Sequence, residues 1–506
     1  MVDNCATARR GARCGPPTHR SGAWGTLAAM PPKTGDTLDL AIDTLAYGGQ
    51  GIGRVDGFVV FVRGVLPGDV ARVEVTRRRS GYAEARLVEL VTPSPRRVPL
   101  RCDHPADVGG CEWQTFDYDS QLEFKHRQVV EALAHIGGLD HVEVAPIRGM
   151  ADPWRYRNKM EYSFGRDGAE IVLGMHRRGS WRDIVDVPDC HLAPIEISRA
   201  RTAVLNAARE LGLPAYSQID HTGLLRHLVV RRGLASGELL LNLFITQRFP
   251  QEQEFAELVA AEQPYTSFAV TVNATQSDAA VGVGPFMIVG PPYFHEELAG
   301  VRLRVPALSF LQTNSEMCGV LYETALRAAR PQAGRRAYDL YCGIGGLSLL
   351  LARESAVVHG FELQADAIAA ATENAELTGA DNLEFVAGDV RLLLLDPPSG
   401  RDPEVAKLVA DDGKTHQSLR TPATHPFERP AVVLTDPPRA GMAKKAVERM
   451  ALLGAERIVY VSCNPTTLAA NAAQLATIGY RLETVTPVDM FPHTHHIEAV
   501  ATFVRV

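Results

Sequence analysis

Residues 301–506 have the pattern of an α/β fold with a doubly wound, mainly parallel sheet. Two observations predict it: apolar strand segments alternate with helical segments, and a glycine-rich turn follows one strand while Glu362 ends the next. In such sheets ligands bind at the carboxyl ends of the strands, so residues there are candidates for the site. The strands are expected at Tyr338, Val357, Leu383, Val432, Ile458 and Leu482.

The composition is typical of a globular protein. The chain has 506 residues, which corresponds to about three domains, and 46% of them are hydrophobic. No run approaches the roughly eighteen apolar residues of a membrane-spanning helix, so we expect no membrane role. Eight cysteines are too few for a dense disulfide framework, which favours a reducing, cytoplasmic location. The net charge of −7 argues against a general nucleic-acid coat.

The amino-terminal part divides into an extension and a barrel. Residues 1–33 are rich in Gly, Pro, Thr and Arg and lack apolar periodicity, which predicts disorder. They also lack the continuous apolar core of a secretory signal. Over residues 34–93, short alternating strands are separated by glycine turns, which predicts a small β-barrel.

Residues 94–300 have a mixed pattern that predicts a central α+β domain. Strands are expected over 156–165 and 171–175, and an amphipathic helix over 197–211. A hairpin over 227–245 is expected to turn at Ser236 and Gly237.

One thiol is predicted at a strand end. The β-branched and aromatic run 458–462 leads into Cys463, and Asn464 and Pro465 then stop the strand. A free cysteine is more often a small buried apolar residue. Its position at the ligand-binding edge of the sheet favours a chemical role instead.

Two Asp-Pro-Pro triplets, at Asp396 and Asp436, compete for a place at the same edge. Asp396 follows Asp389 too closely for the crossover of roughly ten or more residues that joins parallel strands. Asp436 ends the strand 431–435. We therefore assign the functional acid to Asp436, and Asp396 to a proline-rich surface insertion over about 394–429.

The glycine turn predicts a nucleoside-bearing ligand. Gly343 and Gly345 let the backbone approach a ligand closely, and Glu362 lies at about the twenty-residue offset of ribose-binding acids. The glycine spacing is not that of the dinucleotide fingerprint, and no lysine follows as in a phosphate-binding loop. A cofactor without a pyrophosphate fits better.

Five ordered motifs resemble those of the S-adenosylmethionine-dependent RNA uracil-5-methyltransferases. The resemblance covers nearly the whole chain from about Thr34. It implies a Rossmann-like methyltransferase core at 301–506 and an OB-like, RNA-binding TRAM domain at 34–93. The motifs are SFLQTN at 309–314, DLYCG at 339–343, DPPR at 436–439, SCNP at 462–465 and DMFPHT at 489–494.

The resemblance implies a covalent mechanism. Cys463 would add to C6 of uracil, which makes C5 nucleophilic toward the methyl group of the cofactor; thiolates suit this step. Glu498 matches the residue that removes the C5 proton, so that the thiol can leave. The apolar neighbours of Glu498 indicate burial and upward pressure on its pKa.

The resemblance also assigns the binding of S-adenosyl-L-methionine. Glu362 suits ribose hydroxyls because a carboxylate accepts two hydrogen bonds, and Asp389 is expected at the adenine edge. Many relatives carry Asn where this chain has Gly346, so one expected side-chain contact is missing. The implied binding residues are Gln312, Tyr341, Gly343, Gly345, Glu362, Asp389 and Asp436.

The resemblance implies a monomeric enzyme that acts on transfer or ribosomal RNA. No motif in the sequence shows which of the two RNA classes is the substrate. In the barrel, Arg77, Arg78 and Arg79 beside Tyr82 combine charge with a stacking surface. Basic residues of the central domain are expected to contact phosphates. These are Arg155, Arg157, Lys159, Arg177, Arg178, Arg226, Arg231 and Arg232.

A cysteine-containing loop departs from the family pattern. Relatives often hold a [4Fe–4S] cluster with four cysteines, and Cys102, Cys111 and Cys190 match three of these positions. Val108 stands where the second of the four cysteines is expected, although cubane clusters normally take four thiolates. Two interpretations stay open: His104 or Asp107 replaces the missing ligand, or the loop holds no metal.

Two other functions also stay open at this stage. A nucleic-acid amino-methyltransferase carries an aromatic residue after Asp-Pro-Pro, whereas this chain has Arg439, and it has no need of Cys463. An RNA-binding protein with an inactive core would explain the acidic charge and the missing cysteine. The presence of Gln312, Glu362 and Glu498 together with Cys463 favours the enzyme.

Overall fold

The computed structural model describes residues 31–104, 108–394 and 429–506. Most of the predicted extension 1–33, Asp107, and nearly all of the predicted insertion 394–429 with Asp396 lie outside the described residues.

The first unit is a closed five-stranded barrel, as the sequence predicts. Its strands pair in the order β1-β2-β3-β5-β4. Alternation places Val60, Val62, Val73 and Val75 in the barrel interior, where they are buried together. The strands are β1 (Thr37–Leu45), β2 (Gly51–Val55), β3 (Phe58–Val62), β4 (Val70–Arg78) and β5 (Tyr82–Thr92).

A connecting segment leads from the barrel to the central sheet. It contains helix α1 (Tyr118–His135) and the short strand β6 (Glu143–Val144). The Asp117 side chain caps α1, because it accepts a hydrogen bond from the Ser120 amide at 2.9 Å.

The central domain is a seven-stranded sheet of order β13-β12-β11-β10-β7-β8-β9, with two helices packed on it. The predicted strand pair, helix and hairpin are confirmed, since β7 and β8 are antiparallel neighbours and so are β10 and β11. The elements are β7 (Lys159–Asp167), β8 (Glu170–His176), β9 (Ile184–Asp186), α2 (Ile195–Glu210), β10 (Leu225–Arg232), β11 (Leu239–Ile245), α3 (Glu252–Glu262), β12 (Ser267–Val272) and β13 (Val283–Val289).

The predicted doubly wound sheet is also confirmed. Eight strands follow the order β18-β17-β16-β19-β20-β22-β21-β6. The hairpin of β14 and β15 precedes β16 in the chain. The elements are β14 (Tyr293–Leu298), β15 (Val301–Pro306), α4 (Ser315–Ala329), β16 (Arg336–Leu340), α5 (Gly346–Ala352), β17 (Val357–Glu362), α6 (Ala365–Thr378), β18 (Leu383–Ala387), α7 (Val390–Leu393), β19 (Val432–Thr435), α8 (Lys444–Leu452), β20 (Arg457–Ser462), α9 (Pro465–Ala476), β21 (Tyr480–Val488) and β22 (Glu498–Arg505).

Strand β20 is buried on both faces, which explains its continuous apolar run. Val459 and Val461 pack in the core that includes α4, whereas Ile458 and Tyr460 pack in the core that includes α8 and α9. The strand is thus fixed from both sides before it delivers Cys463 to the sheet edge.

The structure differs from the predicted division of the chain at two places. Strand β6 comes from the segment assigned to the central domain, but it pairs with β21 at the edge of the eight-stranded sheet. Helix α1 of the same segment packs on α9. The predicted boundary at 300/301 falls inside the β14–β15 hairpin, whose second strand packs on α6. The connecting segment therefore packs with the eight-stranded sheet and its helices.

Two of the expected phosphate contacts are wrong. Arg226 is 3% exposed and donates to the carbonyl oxygen of Asn273 at 3.0 Å, and Arg231 is 4% exposed and donates to the carbonyl of Ser309. Guanidinium groups buried with internal acceptors cannot reach an RNA backbone.

Within the described ranges, no helix combines the length and apolar character needed to cross a membrane.

Candidate active site

In the eight-stranded sheet, the strand order reverses between β16 and β19, which are parallel neighbours. The glycine turn follows β16, and Asp436 follows β19, so both lie at the same edge. Such a switch point opens a crevice that binds ligands in α/β sheets.

Cys463 occupies the turn between β20 and α9. Asn464 caps the helix, since its side-chain oxygen accepts from the Thr466 amide at 3.0 Å. The Ser462 hydroxyl accepts from the Asn464 amide at 3.2 Å. The thiol is therefore held by a fixed turn at the carboxyl end of a buried strand, as predicted.

The surroundings of Cys463 are charged. Burial raises the pKa of the Cys463 thiol to about 11, and the negative charges of Glu498 and Asp436 contribute to the rise. The guanidinium of Arg439 acts in the opposite direction. In the free protein the thiol thus keeps its proton at neutral pH.

Glu498 begins β22, which pairs antiparallel with β20 so that Ser462 lies opposite Ala499. This register brings Glu498 beside the turn that carries Cys463. Its side chain is 3% exposed, and one carboxyl oxygen, Oε2, has no hydrogen-bond partner in the part of the chain that the structure describes. Burial, followed by the charge of Asp436, raises the pKa of Glu498 well above its ordinary value.

The loop 489–497, which leads into Glu498, is clamped by α1. The ammonium group of Lys125 donates to Asp489 at 2.6 Å and to the carbonyl of Phe491 at 3.0 Å, and both Lys125 and Asp489 have fully buried side chains. The Gln121 side chain accepts from the His493 amide at 2.8 Å. This clamp fixes the start of β22 and hence the position of Glu498.

The glycine turn is shaped for close approach. Tyr341, Gly343 and Gly345 have positive φ angles of 65°, 54° and 87°. The Gly343 amide donates to the Glu362 carboxylate at 3.3 Å, and the same carboxylate accepts from the Gln364 amide at 3.0 Å. Glu362 is therefore held at the turn.

Gly346 has a packing reason in this chain. A Cβ at this position would lie 2.7 Å from the ring of Tyr322, a contact that requires the ring to move. The ring of Tyr322 thus fills the space beside Gly346.

Four carboxyl groups, those of Asp339, Glu362, Asp436 and Glu498, lie at or next to the carboxyl ends of β16, β17 and β19 and at the start of β22. Burial raises the pKa of Asp339 to about 7 and that of Asp436 to about 6. The Ser348 hydroxyl donates to Asp339 at 2.6 Å, but the other oxygen of that carboxyl group has no partner within the described ranges. A site so rich in buried acid is suited to a ligand that carries positive charge.

Gln312 and Asp389, two residues that were expected to bind the cofactor, have different surroundings. Gln312 precedes α4 and is half-buried, and its backbone carbonyl accepts from Asn158 at 2.9 Å. Asp389 caps α7 and forms an ion pair with Arg391, which holds the pKa of the carboxyl group below its usual range. A ligand at Asp389 would have to share it with Arg391.

Comparison with known proteins identifies the family. The family model for tRNA (uracil-5-)-methyltransferases matches residues 297–505, and the TRAM-domain model matches residues 31–88. An uncharacterized RNA methyltransferase of Halalkalibacterium halodurans is 33% identical over 473 residues, 93% of this chain and 97% of that protein. The chain belongs to the RNA uracil-5-methyltransferase family. It is accordingly an RNA methyltransferase with a TRAM domain.

Two further relatives agree with this assignment. An RNA methyltransferase of Nitratidesulfovibrio vulgaris is 35% identical over 92% of this chain and 95% of its own. A solved structure, the Pyrococcus abyssi tRNA (uracil-54, C5)-methyltransferase in complex with S-adenosyl-L-homocysteine, has 26% identity and a TM-score of 0.71. That comparison covers 92% of this chain and 100% of the archaeal chain.

Sequence reasoning missed two residues of the methyltransferase site. Arg439 of the Asp-Pro-Pro-Arg motif lies close enough to Cys463 to lower the pKa of its thiol. Tyr47 comes from the barrel, yet its pKa responds to Arg439, Cys463 and Glu498. The motif contained a signal for Arg439, whereas only the fold brings Tyr47 here.

The three thiols of the cysteine loop lie near one another in this methyltransferase. Burial raises the pKa of Cys111 to about 12, and charges on Cys102 and Cys190 would raise it further. Val108 is buried and forms a β-bridge with Arg177. Among the residues that the structure describes, no group of three or more His, Cys, Asp or Glu side chains could hold a metal ion. These thiols therefore do not fit a four-thiolate cluster, and no chemical step is derived from one.

Proposed function

We propose that the protein methylates C5 of a uridine in structured RNA, transfer or ribosomal, with S-adenosyl-L-methionine as methyl donor. The observation that carries the proposal is the pairing of β20 with β22, through which Cys463 and Glu498 meet at one edge of the switch-point crevice. A nucleophile beside a buried carboxyl group fits the addition and elimination that this reaction requires.

The first step proposed is addition of Cys463 to the base. The thiol gives its proton to solvent water, its sulfur bonds to C6 of uracil, and the C5=C6 electron pair moves onto C5 and O4 as an enolate. Only the thiolate is nucleophilic. The positive charge of Arg439 supports this step, because it opposes the effect of burial on the pKa of Cys463.

The crevice fits the proposed methyl donor. S-adenosyl-L-methionine, when bound, supplies the methyl group together with a positively charged sulfonium. Asp339, Glu362, Asp436 and Glu498 complement that charge, and the Asp339 oxygen that has no partner among the described residues can accept a further hydrogen bond. The glycine turn admits a ligand near the backbone, and Glu362 is positioned for a ribose.

The last step proposed is removal of the C5 proton by Glu498. The proton passes to the carboxylate, the C5=C6 double bond forms again, and the bond from C6 to sulfur breaks. A raised pKa makes Glu498 a stronger base once it is ionised. Positive charge in the crevice would favour the ionised form.

The barrel offers a surface for RNA. The guanidinium of Arg78 lies 5.9 Å from the ring centroid of Phe58, and Tyr82 is 36% exposed and packs edge-on against Phe61. Arg77 and Arg79 are exposed nearby. Charge beside accessible aromatic rings supports binding of single-stranded RNA.

The proposal is tested with RNA that carries tritium at C5 of uridine. Transfer-RNA T-arm hairpins and large-subunit ribosomal RNA fragments are incubated with the protein and S-adenosyl-L-methionine. We expect tritium release equal to the amount of 5-methyluridine formed, in one of the two RNA classes. Methyl groups found on ribose or on an exocyclic amine, with tritium retained, would contradict the proposal.

A further inference from the structure

The loop between β1 and β2, residues 46–50, is a rigid part of the barrel. The Ala46 amide donates to the carbonyl of Gln50 at 2.8 Å, and the Gly49 amide donates to the carbonyl of Ala46 at 3.0 Å. Gln128 of α1 donates from outside to the carbonyls of Leu45 and Ala46 at 3.4 and 3.3 Å. We call this segment the barrel loop.

The barrel loop lies against the loop that leads into Glu498. A Cβ on Gly49 would lie 3.3 Å from both His495 and the indole nitrogen of Trp113. Below it, a separate apolar cluster joins the barrel to the connecting segment. The cluster consists of Leu45, Leu66, Trp113, Phe116 and Phe124.

Tyr47 lies in the middle of this loop and faces the catalytic residues. Its hydroxyl oxygen is buried and interacts with the guanidinium of Arg439, which can only donate, so the hydroxyl hydrogen has no acceptor among the residues that the structure describes. Buried polar groups nearly always have a partner, so one that lacks it at the edge of a site points to a ligand. Burial raises the pKa of Tyr47, and charges on Cys463 and Glu498 raise it further, although Arg439 acts in the opposite direction.

We propose that Tyr47 contacts the uracil base and donates its hydroxyl hydrogen to a carbonyl oxygen of the ring. The barrel then supplies part of the catalytic site, in addition to any RNA surface. This inference rests on the proposed uracil chemistry.

The chemistry of the base explains why a donor belongs there. Addition of Cys463 to C6 moves negative charge onto O4, and a preorganised donor stabilises such charge as it develops. A phenol with a raised pKa stays protonated at neutral pH and therefore remains a donor. Arg439, which cannot accept a hydrogen bond, provides a second donor on the same side.

The test compares Tyr47→Phe with Tyr162→Phe, which removes a buried hydroxyl that also lacks a partner among the described residues but lies in the core of the central domain. For each variant and the wild type, kcat, KM for RNA and the midpoint of thermal unfolding are measured. We expect Tyr47→Phe to lower kcat by roughly 100-fold, as for loss of one preorganised donor, with KM within about twofold. Its unfolding midpoint should change little, because the deleted hydroxyl donates to no acceptor within the described residues. Tyr162→Phe should keep kcat.

Two outcomes overturn the inference while the proposed function stands. The first is a Tyr47→Phe variant with wild-type kcat. The second is a variant with normal kcat and a raised KM, which would assign Tyr47 to general RNA binding. A wild-type protein that never methylates uridine C5 in the same assay would overturn the proposed function, and the inference with it.

Discussion

The sequence suggests a function for cysteines in two regions of this protein, at Cys463 and at the group formed by Cys102, Cys111 and the distant Cys190. Both regions shield their thiols at least partly from solvent and raise a cysteine pKa, to about 11 for Cys463 and about 12 for Cys111. The pKa therefore does not separate them. The neighbours do: Cys463 has carboxyl groups and a guanidinium at a ligand-binding strand end, whereas Cys111 has two other thiols and Arg157.

This difference shows that the chemistry of a thiol follows from the groups around it. At Cys463, carboxyl groups and a guanidinium act on the sulfur at the carboxyl end of a strand. In the segment of Cys102 and Cys111, the position of the second expected cysteine is a buried valine, which can pack but cannot ligate. We propose a reaction in the first region and expect no cluster in the second.

Replacing one cysteine in each region gives the largest expected contrast. Cys463→Ala should lower methyl transfer by more than about 1000-fold, since removal of a nucleophile abolishes the addition step. Cofactor affinity should stay within a few fold, because the thiol acts on the base. Cys111→Ala, the matched control, should keep kcat within about threefold of the wild type and lower the midpoint of thermal unfolding, because it leaves a cavity in a buried cluster. Labelled methyl on uridine C5 from Cys463→Ala would disprove covalent addition.

Glu498→Gln should separate the two halves of the reaction. Methyl transfer precedes proton removal, so Cys463 can still add to C6 and the methyl group can still reach C5. Elimination should slow by roughly 10²–10⁴-fold without the base. We expect a methylated adduct between protein and unmodified RNA that survives denaturing electrophoresis. Wild-type turnover by this variant would mean that another group takes the proton.

The pH dependence of adduct formation tests the charge balance at Cys463. Because its pKa is raised to about 11, the thiolate fraction increases with pH, and the rate should rise about tenfold per unit between pH 6.5 and 8.5. Arg439→Met removes the charge that lowers this pKa, so its profile should be displaced to higher pH. Arg335→Met, which disrupts a surface pair with Glu456, should leave the profile unchanged. A rate independent of pH in the wild type would contradict the assigned thiol pKa.

The smallest expected effect concerns the cysteine loop. Protein purified without oxygen should contain far less than four iron atoms per chain, because Val108 supplies no thiolate. Iron analysis and the visible absorption spectrum measure this directly. Four irons per chain with the brown absorbance of a cluster would show that another residue completes the ligand set.

The parts of the fold that follow local patterns were predictable. The run 458–462 predicted a buried strand that ends at Cys463, and the glycine turn with Glu362 predicted two neighbouring strand ends. Both signals are short-range, since β-branched runs and glycine turns act on their own segment of backbone. The same is true of the barrel, where glycine turns separate the strands.

Contacts between distant segments were not predictable. Arg226 and Arg231 looked like phosphate ligands because charge suggests exposure, but tertiary packing buries them against backbone carbonyls. Tyr47 belongs to a different domain from Cys463, and no local pattern links the two. The ion pair between Asp389 and Arg391 likewise depends on where the Arg391 side chain points, which sequence spacing alone does not reveal.

Trapping with RNA that contains 5-fluorouridine tests the central claim, covalent catalysis by Cys463, most directly. Fluorine replaces the C5 proton, so the adduct cannot be resolved after methyl transfer. We predict a complex stable to denaturation that requires S-adenosyl-L-methionine, carries one methyl group, and maps by mass spectrometry to the peptide containing Cys463. The Cys463→Ser variant should form none. Methyl transfer to the fluorinated RNA without any protein adduct, or an adduct on another residue, would contradict the account.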